Sequence, residues 1–161
     1  MPDANQRLKR LTRRRRQLTN EKISLQNRIQ PDLQAICPTL LDMTGSVDNL
    51  WFLHFLTCRD DLAKLVRLQT KSLLAIQGVG RRYLNLIRDW QKQAEFSNEV
   101  EEVGPMIQED ARRLLALITS IKAMDTKLSN RLKSPIMLNI SNLFQALAWY
   151  VALNWQVKSV L

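Results

Sequence analysis

Residues able to do chemistry are few in this chain, and their spacing keeps most of them from acting together. The acidic pairs Asp60-Asp61, Glu101-Glu102 and Glu109-Asp110 come nearest to a metal or acid–base site. Adjacent residues on a helix point about 100° apart, so neither partner can meet the other on one ion or one proton. His54 is the single histidine and stands in an apolar run with no partner in sequence, as a core side chain would. Two distant cysteines, Cys37 and Cys58, with one histidine exclude a disulfide scaffold and a Cys/His zinc site. Both are expected to be buried thiols. No catalytic residue and no metal ligand is expected here.

What remains is binding chemistry. Seven bases stand in the ten residues from Arg7 to Arg16: Arg7, Lys9, Arg10, Arg13, Arg14, Arg15 and Arg16. On a helix they wrap most of the circumference and leave Leu8 and Leu11 as a thin apolar line. Like charges at this spacing repel one another. Phosphates relieve that repulsion through counterion release. The excess of arginine over lysine favours bidentate phosphate contacts. No aromatic residue interleaves the run, which argues against base stacking on a single strand. A solvated basic arm, or a helix facing acidic protein, is the alternative. A second candidate is Gly78-Val79-Gly80 followed by Arg81 and Arg82, the pattern of a helix-hairpin-helix turn. There two glycines let backbone N–H groups reach a phosphate at a helix N-terminus. An ordinary turn between antiparallel helices fits the same residues.

The elements that must position these groups are helices. The chain has 161 residues, 45% of them apolar, but only 4 Gly and 5 Pro, and no segment alternates like a strand. The net charge of +9 lies mostly at the N-terminus: nine bases against Asp3 and Glu21 give residues 1–30 a charge of +7. That asymmetry points to an anionic partner for this end. From about Asp3 to Ile36 nothing interrupts a helix except Pro31, where a kink or restart is expected. Leu11, Leu18 and Leu25 recur every seven residues, with Leu8, Arg15, Lys22 and Ile29 on the other seam position. This coiled-coil-like seam predicts pairing with another helix or another subunit, hence a homo-oligomer.

Downstream, Ser46, Asp48 and Asn49 precede an apolar run and mark a helix start. Trp51, Phe52, Phe55 and Trp90 fall at helical spacing and are expected in the core. Thr57-Cys58-Arg59-Asp60 has the spacing of a capping box and predicts another start. Leu62, Leu65, Leu68, Leu73 and Ile76 then continue one helical stripe up to the Gly78-Val79-Gly80 break. Tyr83 to Trp90 form the next helix. Gly104-Pro105 opens the last long one, with Ile107, Ala111, Leu114, Leu115, Ile118, Ile121, Met124 and Leu128 as its stripe, ending at Ser134-Pro135. The expectation is an all-α fold: a basic helical arm (1–37), a compact multi-helix body (38–135) and an apolar tail (136–161). Gln145, Asn154, Gln156 and Lys158 interrupt the tail and argue against a membrane span. Without a signal-peptide pattern, a cytoplasmic location is expected.

Leu8 to Leu18, with Leu25-Gln26-Asn27-Arg28, resembles part of the DEDD-type bacterial insertion-sequence transposases, the bridge-RNA-guided recombinases. The resemblance runs on in order through Pro38 to Asp42, Phe55-Leu56, Leu74 to Gly80, Trp90 and Glu109 to Leu114, roughly residues 5–135. It implies a helical segment, including a coiled coil for subunit assembly, that joins an RNase H-like domain to a serine-bearing transposase domain. It further implies DNA transposition, with DNA or structured RNA as partner and Mg²⁺ as the cofactor of the full-length family. The family's four acidic ligands precede this stretch and its serine follows it. This chain is therefore expected to be inactive alone and to need no cofactor of its own. The family's Ile-Pro-Gly-x-Gly motif belongs near residue 144 and is missing. Codons permitted for Phe144 to Ala148, read one nucleotide earlier, allow Ile-Pro-Gly-Phe-Gly, and the shifted frame stays compatible up to Lys158. Residues from about 138 onward are accordingly expected to be out of frame. A stand-alone nucleic-acid-binding or regulatory helical protein is the alternative.

Overall fold

The computed structural model describes residues 2–133 and Gln145. Among these residues there are seven helical segments and no strand, so the fold is all-α. Helix α1 (Pro2–Ile36) is the long basic arm. It is followed by α2 (Pro38–Asp42), α3 (Leu50–Thr57), a 3₁₀ segment (Leu62–Arg67), α4 (Thr70–Leu74), α5 (Arg81–Gln93) and α6 (Val100–Leu132). The described residues fall into two compact units: residues 16–121 form one, and residues 2–15 with 122–133 belong to the other.

The larger unit holds the core. Leu25, Ile29, Leu33 and Ile36 repeat at intervals of three and four along α1 and are buried. Pro31 sits inside α1, whose helix runs through it. Pro38 does end the arm: it forces Cys37 into an extended conformation and supplies the first residue of α2. Helix α3 is apolar nearly all round, and Trp51, Phe52, Leu53, Phe55 and Leu56 are all buried, which makes it the central element. Trp90 of α5 packs edge-on to Phe55 at 5.8 Å and donates its indole N–H to Thr39 Oγ1 at 3.1 Å.

Two glutamines close helix ends that have no glycine cap. The amide of buried Gln108 donates to the carbonyls of Leu56 at 3.0 Å and Arg59 at 2.7 Å. That of Gln91 donates to Leu65 at 2.9 Å and Leu68 at 3.1 Å. Arg59 and Leu68 lie just past their helix ends, and Leu65 also accepts a long bond from Leu68 N–H at 3.4 Å, so each amide supplements a terminus where the helical backbone pairing runs out.

Three local expectations are corrected. Thr57 does not start a helix; it is the last residue of α3, and its hydroxyl donates back to the Leu53 carbonyl at 2.8 Å. The next cap is Asp61, whose carboxylate accepts from Ala63 N–H at 2.9 Å. The stripe from Leu62 to Ile76 is divided between the 3₁₀ segment and α4, because Leu68 and Gln69 turn extended between them. Helix α6 begins at Val100, ahead of Gly104-Pro105. Glu101 and Glu102 in its first turn complement the positive end of the helix dipole. Gly104 is buried instead as a packing residue, where an added Cβ would lie 3.7 Å from Leu62 Cδ1. The apolar tail from 136 lies outside the described residues, apart from Gln145, which is helical and exposed.

Candidate nucleic-acid interface

The arginine-rich run folds as continuous helix, since Arg, Leu, Lys and Gln are all good helix formers and no Gly or Pro falls between Asp3 and Gln30. Arg7, Lys9, Arg10, Arg13, Arg14 and Arg16 are exposed. At 100° per residue they cover about half the helix circumference. Leu8 and Leu11 are half-buried on the remaining side. Arg15 points the other way from its neighbours. It bonds the Asp125 carboxylate of α6, and this hydrogen bond holds the Asp125 carboxyl below the usual range and raises the guanidinium. Arg15 is thus part of the helix pairing, whereas the bases around it face solvent.

The other bases of the arm are also sorted by pairing. Lys22 bonds Asp48, which with a hydrogen bond from Ser46 keeps that carboxyl low. Arg28 donates to Asp110 at 2.9 Å. The part of the heptad seam from Leu18 onward is covered inside the chain: Leu18 and Leu25 are 6% exposed and Ile29 is 0% exposed, whereas Leu8 and Leu11 are half-buried.

The Gly78-Val79-Gly80 turn joins α4 to α5 as the glycine spacing predicts. Gly78 has φ +86°, a conformation that disfavours any Cβ, and an added Cβ would stand 3.2 Å from Trp51 Cβ. Trp51 in turn stacks on Tyr83 of α5 at 4.3 Å, so the turn is fixed from both sides. Gly80 is the N-cap of α5, and its carbonyl accepts from Leu84 N–H at 2.9 Å. The first N–H groups of α5 carry no side-chain cap, and Arg81 and Arg82 beside them are exposed. Arg7 to Arg15 belong to the smaller unit, whereas Arg16, Gly78, Gly80, Arg81 and Arg82 belong to the larger one.

Four basic residues escaped the sequence reading. Lys122, Lys127 and Arg131 in the last third of α6, and Lys133 just after it, are exposed in the same unit as Arg7 to Arg15. Their signal was present as a local excess of bases over the single Asp125, but the larger cluster at the N-terminus hid it.

The groups that could do covalent chemistry do not assemble. His54 is half-buried beside Cys58, Arg59, Ser72 and Gln77 in a cleft of about 440 Å³ that no carboxylate lines. Burial pushes the Cys58 thiol up, away from the reactive thiolate. Cys37 is buried and free. Among the described residues no three His, Cys, Asp or Glu side chains gather as metal ligands. None of the described helices is long and apolar enough to cross a membrane. Comparison with protein-family models, characterised proteins and solved structures finds no match to this chain.

Proposed function

We propose that this chain binds the phosphate backbone of nucleic acid through α1, as a helical segment of a DEDD-type transposase that carries no strand-cleaving residues of its own. The observation behind the binding reading is the exposed half-cylinder of Arg7, Lys9, Arg10, Arg13 and Arg16. Arg15, Lys22 and Arg28 are neutralised by Asp125, Asp48 and Asp110, so the exposed bases are not needed for internal pairing. The transposase reading rests on the ordered resemblance from Leu8 to Leu114. Assembly through Leu8 and Leu11, which remain half-buried, is a further part of that reading.

The Gly78–Gly80 turn favours a second reading, a stand-alone nucleic-acid-binding or regulatory protein. Its positive φ and uncapped helix start are what a phosphate-holding hairpin uses.

Titrating binding against salt tests the interface. Engagement of about six phosphates gives a log–log slope of about −4 to −5. Replacing Arg7, Arg10, Arg13 and Arg16 with Gln should flatten it by several units, and an unchanged slope removes α1 from the interface. Sequencing the gene past residue 161 separates the two readings. A downstream frame encoding a serine-containing transposase domain supports the first, and its absence supports the second.

A further inference from the structure

We infer that the end of α6 completes the phosphate-binding surface: Lys122, Lys127, Arg131 and Lys133 hold the backbone of a double-stranded nucleic acid together with the basic face of α1. The inference rests on the proposed nucleic-acid function and extends it to residues on another helix.

The charge of the smaller unit carries the first step. Its described residues, 2–15 and 122–133, hold ten Lys and Arg side chains, six from α1, three from α6 and Lys133 just after it, against only Asp3 and Asp125. Asp125 is engaged by Arg15. A net excess of eight on two short helical stretches is costly unless an anion shares it. The helix dipole explains a base in the last turn of α6, as with Arg131, but not Lys122 and Lys127 farther back.

Placement carries the second step. Half-buried Ile121, Met124, Asp125 and Leu128 mark the side of α6 that packs. At 100° per residue, Lys127 and Arg131 fall on one flank of that line and Lys122 on the other, with Lys133 just past the helix end. The Arg15–Asp125 bond ties this part of α6 to α1 within the unit. Bases therefore flank the helix contact on both sides.

Size and composition define the ligand. Two packed helices span about 20 Å, too wide for a major groove of about 12 Å, so the pair lies across the phosphate rows without reading bases. Residues 2–15 and 122–133 contain no Phe, Trp or Tyr, which leaves no platform for unstacked bases. A duplex backbone, bound without sequence preference, matches both features.

Fluorescence anisotropy of the full chain with a 20-base-pair DNA duplex, a duplex RNA and a single strand tests this. Replacing all four α6 bases with Gln should flatten the salt slope on duplex by about 2 to 4 and weaken binding at low salt at least about tenfold. Each pair alone, K127Q/R131Q or K122Q/K133Q, should flatten it by about 1 to 2. The charge-conserving variant K122R/K127R/R131K/K133R should keep the wild-type slope. Two duplexes of unrelated sequence should bind alike, and the DNA and RNA arms identify which duplex is preferred. An unchanged slope in the α6 variants, with a flattened slope in the α1 variant, overturns this inference and leaves the proposed function standing. A single strand bound more tightly than both duplexes overturns the duplex assignment, and no binding to any of the three overturns both.

Discussion

Arg15 donates to both carboxylate oxygens of Asp125, from Nε to one and from Nη2 to the other at 3.4 Å, and so joins two helices across 110 residues of sequence. The pair is nearly half exposed on each side, so its value lies in orientation more than in stability. It turns one arginine of a seven-base run toward protein, which is why the run is not a uniform cylinder of charge.

Both Asp125 and Asp48 have carboxyls held below the usual range, through Arg15 and through Lys22 with Ser46 respectively. A lowered folded pKa contributes stability above the unfolded value of about 3.9, and that contribution is lost as pH falls through the folded pKa. The melting temperature should therefore be level in this respect from pH 7 to about 5 and fall on the acid side. The Asp48→Asn variant should start lower at pH 7 and show a shallower acid limb. Parallel acid limbs for variant and wild type would show that the Lys22–Asp48 pair adds nothing.

Gln108 is 2% exposed, and its amide serves two carbonyls at the end of α3. Replacing it with Leu keeps most of the volume but strands both acceptors. The expected cost is about 2 to 3 kcal/mol in urea denaturation. Gln91→Leu should cost less, because that site is only partly buried. Equal and small losses at both positions would mean that water replaces the amides.

The helical class and the α1 seam were legible because periodicity reports burial: Leu18, Leu25 and Ile29 were marked by spacing and are buried. Local starts were less legible. Thr57-Cys58-Arg59-Asp60 has the residue types of a capping box, but the fully buried face of α3 already extends to Leu56 and fixes Thr57 as an end. Pro105 suggested a first turn, yet packing of Gly104 on Leu62 carries the helix through it. The bases of α6 were less legible for another reason. Lys122 and Arg131 show in the sequence as a local excess of bases, but the Arg15–Asp125 bond between α6 and α1 joins residues 110 apart, and no local pattern encodes it.

Gly78 and Gly80 look equivalent in sequence but differ in the fold. Gly78→Ala places a Cβ at φ +86° against Trp51 and should cost about 1 to 2 kcal/mol. Gly80 has φ −95° and open space around its Cα, so Gly80→Ala should change stability by no more than about 0.5 kcal/mol. If the turn also holds phosphate, Gly80→Ala should weaken nucleic-acid binding while leaving the melting curve in place. A loss of stability at Gly80 matching that at Gly78 would contradict this division of roles.

The last prediction concerns the seam. A helix whose apolar line faces another subunit loses mass on substitution, whereas one whose line faces its own chain loses stability. Leu25 is 6% exposed and belongs to the same buried cluster as Ile107, Ala111 and Leu114 of α6. Leu25→Ala should therefore cost about 2 to 4 kcal/mol, and Leu25→Asp should unfold the larger unit by burying an unpaired charge. Leu8 and Leu11 are only half-buried and lie in the other unit, so Leu8→Asp with Leu11→Asp should leave that core intact. Sedimentation of this double variant isolates assembly from folding. A wild type that associates at micromolar concentration, and a double variant that sediments as monomer with an unchanged melting temperature, would place the subunit contact at the N-terminal end of α1. A monomeric wild type would confine the whole seam to packing within the chain.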